Sequence, residues 1–206
     1  MNRRNLSKET LLVEIETLLF EIKHAKEYLA AFNALNKAYS EYRNVMCKAK
    51  RFFSLCKTTF IDDFTAETIK VYDQNSYFNI ISLCDDFIEY SYNNALLDAE
   101  GIKALRYFLE FKRKNKTIKN LKIRRNKYYF HTDKEYILNY EKEKMKTTMS
   151  FNDMEELLKQ AEALCLSLYK SIAHKDWDGK LFRGCLEPER DPNDLFNLLK
   201  MTNIEA

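Results

Sequence analysis

Residues 7–32 read SKETLLVEIETLLFEIKHAKEYLAAF, and they predict one long amphipathic helix. Apolar residues recur every three or four positions, which places them on one helix face: Leu11, Ile15, Leu18, Ile22, Ala25, Leu29 and Phe32. Ser7 stands directly before this pattern, where its hydroxyl can cap the first turn. Such a face needs an apolar partner, so the stretch predicts helix-on-helix packing.

The composition extends this prediction to the rest of the chain. The 206 residues include 3 Gly and 2 Pro, while 46% of them are hydrophobic. A β-sandwich or barrel of this length needs many tight turns, and such turns draw on glycine. We therefore expect an all-α protein, an antiparallel bundle of four to five long helices with short accessory helices.

The same periodicity predicts the other helices. One carries apolar residues from Tyr42 to Cys56, and it either starts at Ser40 or continues the first helix. A break is expected within residues 58–63. Further helices are predicted over the ranges 65–72, 77–92 and 102–111. Residues 135–146 fit a helix and a loop equally well.

Polar residues indicate where two later helices begin. Thr117 can cap a helix that runs through Ile118, Leu121, Arg125 and Tyr128, and Ser150 with Asp153 resembles a capping box ahead of the last bundle helix. Breakers cluster beyond residue 174. We therefore expect one helical domain over residues 1–174, followed by an irregular extension over 175–206 that ends in a short helix.

Several classes of protein are disfavoured. Residues 1–10 are polar and lead into no unbroken apolar run, so no secretory signal is predicted, and no stretch approaches a membrane span. Five scattered cysteines without a Cys-x-x-Cys pair fit reduced thiols. Three histidines, none close to a cysteine, argue against a zinc site. We expect a cytoplasmic protein with no cofactor, no metal and no membrane partner.

Residues 111–127 form a basic segment. They contain nine lysines and arginines and no acid, so the rest of a chain of net charge +3 is net acidic. Clustered cations of this kind are typical of surfaces that bind a polyanion, because each neutralised phosphate releases counterions. The alternative is a merely solvated helix face.

The end of the basic segment carries a motif. Residues 124–133 read RRNKYYFHTD, in which Arg125, Asn126 and Lys127 precede His131. This pattern resembles the signature of HEPN domains, and the form Arg-Asn-Lys-x-x-x-His-x-Asp is similar to the AbiU2-like abortive-infection family. The resemblance extends over residues 10–173 and includes the acidic-ended segment 69–73.

The resemblance implies a metal-independent endoribonuclease, an antiviral or toxin-like effector that works as a homodimer and is restrained by a control such as a neutralising partner. His131 would move protons and Arg125 would stabilise the phosphate. Asn126 would orient either the phosphate or the imidazole of His131. These three are the expected catalytic residues. The expected RNA-binding residues are Arg124, Lys127, Lys122 and Lys119.

Helix geometry leaves the motif arginine undecided. Arg125 and His131 are six positions apart and would lie about 120° from each other on a continuous helix, whereas Arg124 would lie nearly above His131. The helix breaks within residues 128–132, or Arg124 is the working residue, or the site is shared across a dimer. Two alternatives to catalysis remain: a HEPN-type module that binds RNA or protein without cutting, and a structural dimerisation domain.

Overall fold

The computed structural model describes residues 7–97, 99–124 and 150–179. These residues form seven helices and no strand, which confirms the all-α prediction. The helices are α1 (Lys8–Glu41), α2 (Arg43–Lys48), α3 (Lys50–Tyr72), α4 (Ile80–Asn94), α5 (Ala99–Lys114), α6 (Lys116–Arg124) and α7 (Phe151–Ala173). The expected helix or loop at 135–146 and the terminal helix at 194–201 lie outside the described residues.

Helix α1 forms as the sequence predicts. The Ser7 hydroxyl accepts a hydrogen bond from the Thr10 N–H at 3.2 Å, which caps the first turn. The seven apolar residues of the predicted face, from Leu11 to Phe32, are all buried. Their burial is what makes a 34-residue helix stable, because most helical stability in proteins comes from packing of an apolar face.

Two boundaries near the second predicted helix differ from expectation. Helix α1 ends at Glu41, and the chain bends at Tyr42 and again at Ala49, so neither a start at Ser40 nor a straight continuation is correct. The predicted break within 58–63 is also wrong, since α3 is continuous from Lys50 to Tyr72. Thr58 bonds its hydroxyl to the Ser54 carbonyl at 3.1 Å, a contact within the helix that does not interrupt it.

Helix α4 starts three residues later than predicted. Asn79 has extended backbone, and its side chain accepts from the Ser82 N–H at 2.9 Å, so Ile80 is the first helical residue. Before it, the turn after α3 closes as expected, with the Ser76 N–H bonded to the Asp73 carbonyl. The predicted helix 102–111 is part of the longer α5.

Two helices end on residues in the left-handed conformation. Ala95 follows α4 with a φ of 51°, and His174 follows α7 with a φ of 56°. The predicted capping box of α7 is confirmed, because Ser150 and Asp153 each accept a backbone N–H of the other. Helix α7 therefore has defined caps at both ends.

The chain divides into two compact units. The first contains residues up to Lys23 and Thr65–Asp178, so it takes the start of α1, the end of α3, and α4 to α7. Within it, the buried Tyr72 hydroxyl donates to the Leu157 carbonyl at 2.6 Å, which joins α3 to α7. Helix α4 packs against α5, and α5 against α6.

Of the described residues, the second unit contains His24–Phe64 and Gly179. Its core is formed by the buried Leu35 and Ala38 of α1 and the buried Met46 of α2. Four partly buried residues pack against this core: Tyr42, Phe53, Cys56 and Phe60. In neither unit is any described helix long and apolar enough to cross a membrane.

Candidate functional site

Helix α6 carries the described part of the candidate site. Its cap is Asn115, whose side-chain oxygen accepts the Ile118 N–H at 3.2 Å. The predicted cap, Thr117, lies inside the helix instead. Ile118 and Leu121, three positions apart, are buried and fix α6 to the first unit, so the opposite face points outward.

Of the predicted RNA-binding lysines, Lys119 lies towards that outer face, whereas Lys122 lies beside the buried face, about 40° around the helix from Ile118. Lys119 and Lys122 are three positions apart, about 60° around the helix, and are therefore neighbours. Lys119 is exposed, and Lys122 is half-buried and donates to the Gln74 side-chain oxygen at 3.3 Å. The helix therefore carries two positive charges close to each other.

Arg124 is separated from those lysines. It is two positions beyond Lys122, about 160° around the helix, so it faces another direction. Its Nε atom is buried and has no hydrogen-bond partner. The other predicted site residues, Arg125, Asn126, Lys127 and His131, lie outside the described residues, so their convergence stays a prediction.

Lys112 is not part of any binding surface, although the sequence places it in the basic segment. Its side chain is fully buried, with Nζ bonded to the Gln160 side-chain oxygen of α7 and 5.1 Å from the centre of the Phe108 ring. Burial lowers the pKa of its ammonium, and the charge of Glu156 opposes this shift. The basic segment is therefore interrupted by one interior cation.

The sequence contains a signal for this burial. Lys112 continues the spacing of Ile102, Leu105 and Leu109, the buried stripe of α5. The next two cations form ion pairs on the surface: Arg113 with Asp85 at 3.0 Å and Lys114 with Glu110 at 3.9 Å. Exposed pairs of this kind are weak and would yield to a phosphate.

The sequence analysis missed a carboxylate pair in the same unit. Glu21 of α1 lies beside Glu67 of α3, and Lys70 approaches them at 3.8 Å and 2.6 Å. Burial and then the neighbouring Glu67 raise the pKa of Glu21 to about 7, and the charge of Lys70 opposes this shift. Glutamates in the middle of long helices, such as Glu21 and Glu67, are usually surface residues. The sequence therefore gives little indication that these two lie side by side.

No group of three or more His, Cys, Asp or Glu side chains in the described ranges is close enough to hold a metal ion. Two of the cysteines, Cys84 and Cys165, are buried, and burial raises the pKa of both thiols. Such thiols are poor nucleophiles and poor ligands because the thiolate is the reactive form.

The all-α fold, with a lysine-bearing helix that leads along the chain to Arg125 and His131, is that of a HEPN-type protein. More specifically, the chain belongs to the AbiU2 family of HEPN proteins, because the HEPN_AbiU2 family matches it over residues 8–187. No curated protein and no solved structure matched in the corresponding searches.

Proposed function

We propose that the protein is a metal-independent endoribonuclease of the HEPN type that acts as an abortive-infection effector. The observation that carries the proposal is membership of the AbiU2 family in a chain whose Arg125 and His131 resemble the HEPN motif. The exposed Lys119 and the half-buried Lys122 of α6 lie a few residues ahead of Arg125 and support RNA as the substrate.

The proposed reaction uses the substrate's own nucleophile. His131 takes the proton from a ribose 2′-OH as its oxygen bonds to the adjacent phosphorus. The bond from phosphorus to the 5′ oxygen breaks, and that oxygen receives a proton. The products are a 2′,3′-cyclic phosphate and a 5′-OH, so neither water nor a metal enters this step.

Each proposed residue matches one requirement of this step. Histidine titrates near neutral pH and can both accept and return a proton. Arg125 is permanently charged and can bind two phosphoryl oxygens, where negative charge gathers. Asn126 would orient the phosphate or the imidazole, while Arg124 and Lys127 would hold flanking phosphates. A homodimer with facing motifs would bring arginine and histidine together from two chains.

The proposal is tested by incubating the purified protein with structured cellular RNA in EDTA. We expect cleavage that His131→Ala and Arg125→Ala each slow by about a hundredfold or more. Arg124→Ala serves as the matched control and should retain cleavage within about tenfold. Product ends are identified by whether a kinase can phosphorylate the 5′-OH directly.

Two results would contradict the proposal. Equal, negligible cleavage by all four proteins with RNA binding retained would leave a binding module that does not cut. Loss of cleavage in Arg124→Ala with normal cleavage in Arg125→Ala would instead identify Arg124 as the motif arginine.

A further inference from the structure

The second unit carries its own basic surface, which the motif does not involve. Between Tyr42 and Ile61 the chain has five cations and no acid. All five are exposed on α2 and the first half of α3: Arg43, Lys48, Lys50, Arg51 and Lys57. We call this surface the α2–α3 basic face. Its charge is complementary to a polyanion.

Apolar side chains are exposed among these cations. Phe52 is 62% exposed and Leu55 is 65% exposed, and they are neighbours on the outer side of α3. Exposed aromatic residues interleaved with lysine and arginine are typical of surfaces that bind single-stranded nucleic acid, since cations hold the phosphates and rings stack on bases.

A cavity of about 210 Å³ opens on this face. Its apolar walls are Leu35, Met46 and Phe53, and Tyr39, which is 42% exposed, stands at its edge. The remaining lining residues supply one amide, one hydroxyl and two ammonium groups: Asn36, Ser54, Lys50 and Lys57.

These groups match the parts of a nucleotide. Tyr39 and Phe53 offer aromatic faces to a base, the Asn36 amide and the Ser54 hydroxyl can bond to its polar edge, and Lys50 or Lys57 can hold its phosphate. A lipid acyl chain has no polar atom that could bond to the amide or the hydroxyl, so the lining favours a base.

The cavity continues into a second depression along α3. That depression is lined by Lys50, Arg51, Ser54, Leu55 and Thr58, and it shares Lys50 and Ser54 with the cavity. Both hollows are therefore bordered by Lys50 and Ser54. An extended strand can place one base in the cavity and its next nucleotide along the depression, with the intervening phosphate on Lys50.

We propose that the α2–α3 basic face binds single-stranded RNA, with one unstacked base in the cavity. The inference rests on the proposed function in that RNA is the substrate, and it adds a binding site apart from the motif. It identifies the substrate class as RNA with single-stranded stretches, because a base within a duplex cannot enter the cavity.

The test is binding of a fluorescent single-stranded oligoribonucleotide to the full chain, measured by anisotropy. The riboses are 2′-O-methylated, which removes the attacking hydroxyl, so binding is measured without cleavage. Tyr39→Ala and Lys50→Ala should each weaken binding by about tenfold. The matched controls are Tyr77→Ala and Lys159→Ala, an exposed tyrosine and an exposed lysine of the other unit; both should bind within about twofold of wild type.

A 4-thiouridine in the same oligonucleotide gives a second readout, because ultraviolet light should cross-link it to a peptide that contains Tyr39 or Phe53. Unchanged binding in Tyr39→Ala and Lys50→Ala would overturn the site. So would binding of phosphatidylserine vesicles that depends on these residues while RNA binding does not. If cleavage depends on His131 but RNA binding does not depend on Tyr39, the proposed binding site is wrong and the proposed ribonuclease activity stands. If RNA binding depends on Tyr39 but no cleavage occurs, the proposed ribonuclease activity is wrong instead.

Discussion

Lys112 shows how a single residue changes the interpretation of a charged segment. In sequence it is one of nine cations, and in the structure it is a buried link between α5 and α7. Interior lysines are uncommon because removing an ammonium from water is costly unless it is bonded. The bond to Gln160 and the Phe108 ring supply that compensation.

Replacing Lys112 should therefore affect folding and leave RNA binding unchanged. Lys112→Ala leaves a void and is expected to lower the free energy of unfolding by about 2–5 kcal/mol, whereas Lys112→Met keeps most of the volume and should cost less than about 1.5 kcal/mol. Urea denaturation measures both. The exposed Lys114→Ala is the control.

The same Lys112→Met variant can show that a buried cation does not contribute to RNA binding as a surface cation does. The salt dependence of RNA affinity should match that of wild type, whereas Lys119→Ala should lower the slope by about 0.7. A slope reduced equally by both substitutions would place Lys112 on the binding surface and contradict its burial.

Glu21 should make stability depend on pH. Its pKa is raised from 4.5 to about 7, so the folded protein holds a proton that the unfolded chain has lost. Stability from this group is full below pH 4.5 and falls as the pH rises to about 7, by at most about 1.4 kcal/mol per pH unit.

Glu21→Gln should remove that part of the pH dependence. Melting temperatures measured across this range should fall less steeply in the variant than in wild type. Glu27→Gln, an exposed position of the same helix, is the control. Parallel pH profiles for all three proteins would show that Glu21 does not hold the proton.

At the level of helices, the apolar pattern predicted the existence of most elements, while their ends depended on polar contacts that the pattern does not contain. Ser7 and Ser150 cap as predicted because each directly precedes its apolar face. Helix α6 is capped by Asn115 and α4 by Asn79, and neither residue was singled out. Continuous helix over 58–63 arises because no glycine or proline interrupts α3.

The cap of α6 gives a test of this assignment. Asn115→Ala should lower the free energy of unfolding by about 1 kcal/mol, because the Ile118 N–H loses its acceptor. Thr117→Ala, inside the helix, should change it by less than about 0.5 kcal/mol. The reverse ranking in chemical denaturation would restore Thr117 as the cap.

For the whole molecule, the sequence predicted the class and family, and it could not predict the site's geometry. Whether Arg125 and His131 converge depends on the backbone after α6 and on subunit pairing, and a spacing of six residues fixes neither. The α2–α3 basic face was overlooked because five cations spread over two helices look unremarkable in sequence, and the cavity that Lys50 and Lys57 help to line is visible only after packing.

Subunit pairing can be tested by mixing two inactive proteins. If each site takes Arg125 from one chain and His131 from the other, a heterodimer of Arg125→Ala and His131→Ala retains one intact site. Random pairing should then restore about a quarter of wild-type cleavage. Sedimentation of the unmixed protein should show a dimer of the 24.6 kDa chain. A monomer, or no recovery after mixing, would contradict a shared site.

Ala95 and His174, the two left-handed residues that follow α4 and α7, have a practical consequence. A side chain with a β-carbon costs about 1–2 kcal/mol in this conformation, whereas glycine adopts it freely and loses about 0.5–1 kcal/mol through its greater freedom in the unfolded chain. Glycine at both positions should therefore give a more stable protein for crystallisation, and every residue proposed to contact RNA is left unchanged.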